Sequence, residues 1–292
     1  MYACVDIGSN TTRLLVADTS DGRLRELMTQ RDFTRLGSAI RQSGEIPADK
    51  LEETATIVTR QANMARQLGA GEVAVVATAA IRGCANGAEL VQRASERTGL
   101  ELRILPATEE ARLSFVGATA TLGAPVQGRV VVIDVGGGST EVAAGTVAGG
   151  VDRSDSFRIG SGLIADSYLR SDPPGAGELQ AARQHVAGAF EGFNPPEAEA
   201  ALAVGGSATS LRRLCGGVVE HETLERGVRI LAELPREEVS RRFELDPERV
   251  RLLPAGILIL EELSDRLQMP LTIAKGGLRE GVILERLAGR EG

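Results

Sequence analysis

The chain has 292 residues, enough for two domains, and its 42% hydrophobic and 25% charged residues are the composition of a folded globular protein. Aromatic residues make up only 3%, with no tryptophan, which argues against stacking platforms for single-stranded nucleic acid. A net charge of −7 counts against a general nucleic-acid binder, and any site for a polyanion must be made locally positive by arginine, helix N-termini or metal. Lys50 and Lys275 are the only lysines. Cys4, Cys84 and Cys215 are odd in number, widely spaced and lack a Cys-x-x-Cys pair. With a first strand starting at Tyr2, which leaves no room for a targeting segment, they point to a cytoplasmic setting. The longest apolar runs, Val130–Ile133 and Ala255–Leu260, are too short to span a membrane.

In chain order, Tyr2–Ile7 and Thr12–Ala17 read as strands joined by Gly8-Ser9-Asn10-Thr11. Asp21-Gly22 is a hairpin signal leading to a third strand around Arg23–Thr29. Leu51, Ala55, Val58, Ala62, Ala65 and Leu68 recur at helical spacing over Pro47–Leu68, closed by Gly69. Glu72–Ala77 is a strand, Ala88–Arg97 a helix ending at Gly99, and Glu101–Leu105 a strand. Thr108–Leu122 is a helix with Thr108 as its N-cap and Gly123 at its end. Then the pattern restarts, with strands at Arg129–Val135 and Thr140–Ala144 and a break at Gly149-Gly150. Helices are expected at Leu179–Phe193, Ser207–Leu214, Pro235–Phe243, Pro247–Leu263 and Leu278–Leu287, with a strand at Ala198–Val204. Strands alternate with helices, so the class is α/β.

The restart is a duplication. Val5-Asp6-Ile7-Gly8-Ser9-Asn10-Thr11-Thr12 and Ile133-Asp134-Val135-Gly136-Gly137-Gly138-Ser139-Thr140 are two copies of one device. Each is a strand ending in Asp-x-Gly, a small-residue turn, and hydroxyl residues entering a second strand. The two lie one domain length apart, which gives an expectation of two duplicated domains, 1–125 and 126–292, facing an interdomain cleft. Glycine lets backbone N–H groups approach phosphate oxygens closely, and nearby hydroxyls add donors. Bare phosphate repels an aspartate just ahead of such a turn, so its expected task is to hold Mg²⁺. A single Asp-x-Gly turn reads as a hairpin; two at domain spacing read as a phosphate clamp.

Other chemistries find no support. There is no Walker A sequence. His185 and His221 have no metalloprotease or triad context and read as surface or packing residues. Ser207, in Gly205-Gly206-Ser207-Ala208-Thr209, is not in a Gly-x-Ser-x-Gly elbow.

The paired loops resemble the actin, hexokinase and acetate kinase superfamily, with Gly205–Ser210 similar to its third glycine motif. More narrowly, six ordered segments resemble the exopolyphosphatase/guanosine pentaphosphate phosphatase (Ppx/GppA) family: Asp6–Thr11, Ala77–Arg82 with Asn86, Glu109–Leu113, Asp134–Glu141, Val204–Leu211 and Gly277–Val282. The resemblance implies an actin-like (ribonuclease H-like) fold and phosphoanhydride hydrolysis. Glu110 matches the glutamate that deprotonates the attacking water, and Asp134 and Glu141 match the acids at the metal and scissile phosphate. Asp6, Asp134 and Glu141 are thereby the metal residues, for Mg²⁺ or alternatively Mn²⁺. Gly8, Ser9, Asn10, Thr11, Gly136, Gly137, Gly138 and Ser139 match phosphate-binding loops, Arg82 an arginine gripping the phosphate chain, and Gly206 and Ser207 the third motif. Glu109 keeps a helix-dipole role, and Arg112 and Arg279 are expected in buried ion pairs supporting the site. Thr11-Thr12 stands where serine is common, and Gly83-Cys84 replaces more usual residues; both bear on substrate preference.

The leading expectation is an exopolyphosphatase releasing orthophosphate from inorganic polyphosphate. Removal of the terminal phosphate of guanosine pentaphosphate is the second. Longer family members carry a C-terminal helical extension; the end at Gly292 therefore favours polyphosphate, particularly short chains. A non-catalytic phosphate-ligand sensor is disfavoured by retention of Glu110, Asp134 and Glu141 together, and a sugar or acetate kinase by the Glu110 motif. No nucleic acid or membrane partner is expected, and a homodimer is left open.

Overall fold

The structure, a computed structural model, describes residues 1–19, 24–122 and 126–291. The chain divides into two compact units: Met1–Gly117 together with Leu278–Gly292, and Ala118–Gly277.

The first unit contains β1 (Tyr2–Ile7), β2 (Thr12–Asp18), β3 (Arg25–Asp32), α1 (Leu36–Ser43), α2 (Ala48–Gln67), β4 (Glu72–Ala77), α3 (Ala79–Arg82), α4 (Gly87–Thr98), β5 (Leu102–Ile104) and most of α5 (Ala107–Ala120). Its sheet runs β3-β2-β1-β4-β5, antiparallel through β3-β2-β1 and parallel through β1-β4-β5. Side chains alternate across a strand, so β1 and β2 serve two cores. Val5, Leu14 and Val16 pack with Leu51, Val58 and Ala65 of α2, whereas Cys4, Leu15 and Ala17 pack on the opposite face with Leu113 of α5. The helical spacing read over 47–68 is this buried stripe, and α2 ends before Gly69, whose φ of 87° favours glycine.

The second unit contains β6 (Arg129–Val135), β7 (Thr140–Thr146), β8 (Gly150–Phe157), α6 (Ser161–Tyr168), α7 (Ala176–Ala189), β9 (Ala200–Val204), α8 (Gly205–Cys215), β10 (Val218–Val219), α9 (His221–Glu233), α10 (Arg236–Phe243), α11 (Pro247–Leu267) and β11 (Leu271–Ile273). Its sheet order is β10-β11-β9-β6-β7-β8. Without β10 this repeats the order and directions of the first sheet, with β6 in the place of β1. The registers coincide as well: Asp6 faces Arg13 and Ile7 faces Thr12, while Asp134 faces Glu141 and Val135 faces Thr140. This is the duplicated actin-like α/β architecture expected from the two loops. Leu253, Ile257 and Leu260 of α11 lie in the core cluster that holds Val131 and Ile133 of β6. Among the described residues no helix is long and apolar enough to cross a membrane.

The structure departs from the sequence reading in several places. The last helix, α12 (Leu278–Glu291), returns to the first unit, where Val282 and Ile283 join the cluster of Cys4 and Leu15. A single cut at 125/126 misses that return, because apolar spacing shows that a helix is buried but not against which sheet. Thr108 lies inside α5 rather than at its N-cap; Glu110 N–H donates to Pro106 C=O, so the first turn begins earlier. The helices α1, α3, α6 and α9 and the strands β8, β10 and β11 were not anticipated. The Asp21-Gly22 signal, Gly123 and Pro125 lie outside the described residues.

Candidate active site

Each glycine loop is closed and held from behind in the same way. Gly8 N–H donates to Thr11 C=O at 3.0 Å, and Gly136 N–H to Ser139 C=O at 3.0 Å. The helix after the third strand of each sheet then donates to the loop's carbonyls. In the first unit Arg35 N–H reaches Asn10 C=O at 3.0 Å and Gly37 N–H, in α1, reaches Ser9 C=O at 2.7 Å. In the second, Ser161 N–H reaches Gly136 C=O, and Gly162 and Leu163 N–H both reach Gly137 C=O, at 2.9–3.0 Å. A Cβ on Gly160 would fall 2.5 Å from Gly138 N and 2.8 Å from Gly136 C=O, so that position is open only to glycine. With its carbonyls engaged, the second loop is left with donors: the N–H groups of Gly137 and Gly138 have no hydrogen-bond acceptor among the described residues. In the first loop Asn10 Nδ2 is buried with no partner among the described residues. Unsatisfied donors at a glycine turn are the means of holding a phosphate oxygen.

Asp134 and Glu141 stand opposite each other on β6 and β7 at the loop end. Glu141 is buried; Ser139 Oγ donates to its Oε2 at 3.2 Å and Ser156 Oγ to its Oε1 at 2.9 Å. Asp134 Oδ1 lies beside Gly205, where a Cβ would approach it to 2.8 Å and where φ is 91°. Two hard carboxylates on facing positions at a glycine loop fit Mg²⁺, which takes one or two carboxylates and keeps several waters. In the first unit Asp6 occupies the equivalent strand position, but its cross-strand partner is Arg13 where the second unit has Glu141. Arg279 lies near enough to Arg13 that its charge, with burial second, pushes the Arg13 guanidinium below its ordinary range. The first loop is therefore the more cationic copy.

Glu110 is 7% exposed and sits in the first turn of α5. Arg82, at the end of α3, donates through Nη1 to Glu110 Oε2 at 2.9 Å and to Leu105 C=O at 2.7 Å. The arginine read as a grip on the phosphate chain thus also fixes the carboxylate read as the base. Its planar fork keeps further N–H groups for an oxyanion. Glu109 pairs with Arg103 at 2.5 Å. Arg112 pairs with Glu285, but both are more than a third exposed, so this pair is not buried. Arg279 is buried and donates to Leu14 C=O at 3.0 Å.

The third motif forms the turn from β9 into α8. Ser207 is buried against Gly256 of α11, where a Cβ would meet its Oγ at 2.1 Å. Gly206 carries the guanidinium of Arg249, whose Nη1 lies 2.0 Å from a Cβ placed there. Sequence reading missed Arg249 and Ser156. Arg249 sits among several arginines on a helix, and Ser156 on an unanticipated edge strand, so neither carried a local signal.

Two Asp-x-Gly loops on duplicated sheets define an actin-like α/β protein. The chain belongs to the Ppx/GppA phosphatase family, whose sequence model matches residues 15–289. It is similar to an exopolyphosphatase 1 of Mycobacterium leprae, 30% identical over 97% of this chain and 88% of the relative. An exopolyphosphatase 1 of Mycobacterium tuberculosis is 31% identical, over 97% and 87%. The crystal structure of the Aquifex aeolicus family member is 26% identical, with a TM-score of 0.83, covering 100% of this chain and 98% of that one.

Proposed function

We propose that the chain is an exopolyphosphatase that hydrolyses the terminal phosphoanhydride of inorganic polyphosphate. The observation that carries this reading is the buried Glu110 carboxylate, held by Arg82 in the first turn of α5. A protein that only binds phosphate has no use for a positioned carboxylate, whereas hydrolysis needs one to take a proton from water. The name of the mycobacterial relatives agrees.

In this mechanism the glycine loops and Arg82 hold the phosphate oxygens. Glu110 accepts a proton as the water oxygen bonds to terminal phosphorus, the bridging P–O bond breaks, and orthophosphate leaves alongside the shortened chain. Phosphoryl transfer of this kind depends on in-line positioning and charge neutralisation more than on covalent chemistry. Asp134 and Glu141 would hold Mg²⁺, which would supply charge neutralisation on the phosphate oxygens. Orthophosphate release from polyphosphate, guanosine pentaphosphate and ATP, measured side by side, tests the reading. Polyphosphate is expected to give the highest kcat/KM. A preference for guanosine pentaphosphate would transfer the assignment to that substrate, and release from none of the three would overturn it.

A further inference from the structure

Away from the glycine loops of the second unit, α9 and α11 bring four titratable side chains together. His221 and Glu225 lie one helical turn apart on α9, and Glu261 and Asp265 repeat that spacing on α11. Ligand atoms of His221, Glu225 and Glu261 all lie within 4.8 Å of one another. His221 Nε2 is 3.4 Å from Glu225 Oε1, and His221 Nδ1 is 2.9 Å from Asp265 Oδ1. Glu261 is 4% exposed; its Oε2 pairs with Arg183, while its Oε1 is buried with no hydrogen-bond partner among the described residues. The four side chains line an open pocket of about 330 Å³ together with Arg183 and Glu262.

We propose that His221, Glu225 and Glu261 form a site for a divalent transition-metal ion, of which zinc is the representative, with Asp265 orienting the histidine. A buried carboxylate oxygen without a donor is costly unless a cation satisfies it. Hydrogen bonding of Nδ1–H to Asp265 fixes the tautomer that leaves the Nε2 lone pair available beside Glu225 Oε1, the usual arrangement of a carboxylate behind a metal-bound histidine. Zinc–ligand lengths of about 2.0–2.1 Å in a tetrahedron separate neighbouring ligand atoms by about 3.3 Å, close to the 3.4 Å between His221 Nε2 and Glu225 Oε1. An imidazole nitrogen selects zinc-like ions over Mg²⁺, which prefers oxygen ligands and retained water. The exposed side of His221 and Glu225 leaves a fourth position to water.

The test is calorimetric titration of the chelator-treated full chain with zinc in excess Mg²⁺, which occupies oxygen-only sites. One zinc per chain is expected. His221→Ala and Glu225→Gln each lower its affinity at least tenfold, and Asp265→Asn lowers it about 10–100-fold as an outer-sphere partner does. Co²⁺ bound to the wild type gives visible d–d bands that vanish in His221→Ala. Because His221 and Glu225 are half exposed, both variants are expected to keep the wild-type circular dichroism. Failure of the wild type to take up zinc, or uptake unchanged in His221→Ala, overturns the proposal and leaves His221 as a cation shared by Glu225 and Asp265. Neither readout depends on phosphate release.

Discussion

Gly160→Ala measures how tightly the second glycine loop is held. Gly160 has φ −154° and ψ 165°, an extended conformation open to any residue, so its need to be glycine is purely steric. The added Cβ would fall 2.5 Å from Gly138 N and 2.6 Å from Gly137 C, about 0.9 Å inside ordinary contact, and both atoms are backbone. They cannot rotate away. Either the loop shifts by most of an ångström or α6 lifts off it, losing the bonds from Ser161, Gly162 and Leu163. Overpacking of this kind costs about 1–3 kcal/mol, which lowers Tm by about 2–4 °C per kcal/mol in a unit of this size. Misplacing a binding group by about 1 Å costs about 10²-fold in rate. Scanning calorimetry and orthophosphate release therefore give a modest Tm loss with a disproportionate fall in kcat. Gly177→Ala is the control, since its Cβ meets nothing within 4 Å in α7; it is expected to stabilise by about 0.5–1 kcal/mol. Wild-type turnover and melting in Gly160→Ala would refute the view that α6 pins the loop.

Glu110→Gln keeps the shape of the side chain and is expected to lower kcat by about 10²–10⁴-fold with KM little changed; turnover within twofold of wild type would move the base elsewhere, to Glu109 first. Arg82→Ala is expected to raise KM and also to lower kcat, because Nη1 holds Glu110; the loss of a charge-assisted bond is about 1.5–3 kcal/mol in kcat/KM, and an effect on KM alone would show that the contact with Glu110 is idle. EDTA is expected to abolish phosphate release and Mg²⁺ to restore it in the wild type but not in Asp134→Ala; full activity in chelator would dismiss the metal role. Burial pushes the Cys4 and Cys84 thiols up. At neutral pH, iodoacetamide is therefore expected to spare Cys4 until the protein unfolds and to label Cys84 more slowly than free cysteine, as mass spectrometry would read; rapid labelling of native Cys4 would contradict its burial.

The sequence by itself determined the elements whose pattern is local. β1, β4 and β6 were legible to the residue, since runs such as Val-Val-Val-Ile fill strands covered on both faces. The Asp-x-Gly loops were legible because a tight turn leaves a compositional mark, and their repetition disclosed the duplication. Glu110, Asp134 and Glu141 were singled out by the family resemblance alone, and the structure places them on α5, β6 and β7. What only the tertiary structure decided is how the loops are held. The helices α1 and α6 that seize the loop carbonyls passed unread, being short and opened by Arg35 at φ 52° and by Gly160 rather than by a capping serine or aspartate. β8, which supplies Ser156 to Glu141, is polar because an edge strand is half solvated. His221 carried no signal, because Asp265 and Glu261 reach it from a helix about forty residues away in sequence. The placement of α12 in the first unit was likewise hidden: apolar spacing requires a helix to be buried, and only the packing of Val282 and Ile283 beside Cys4 and Leu15 says where.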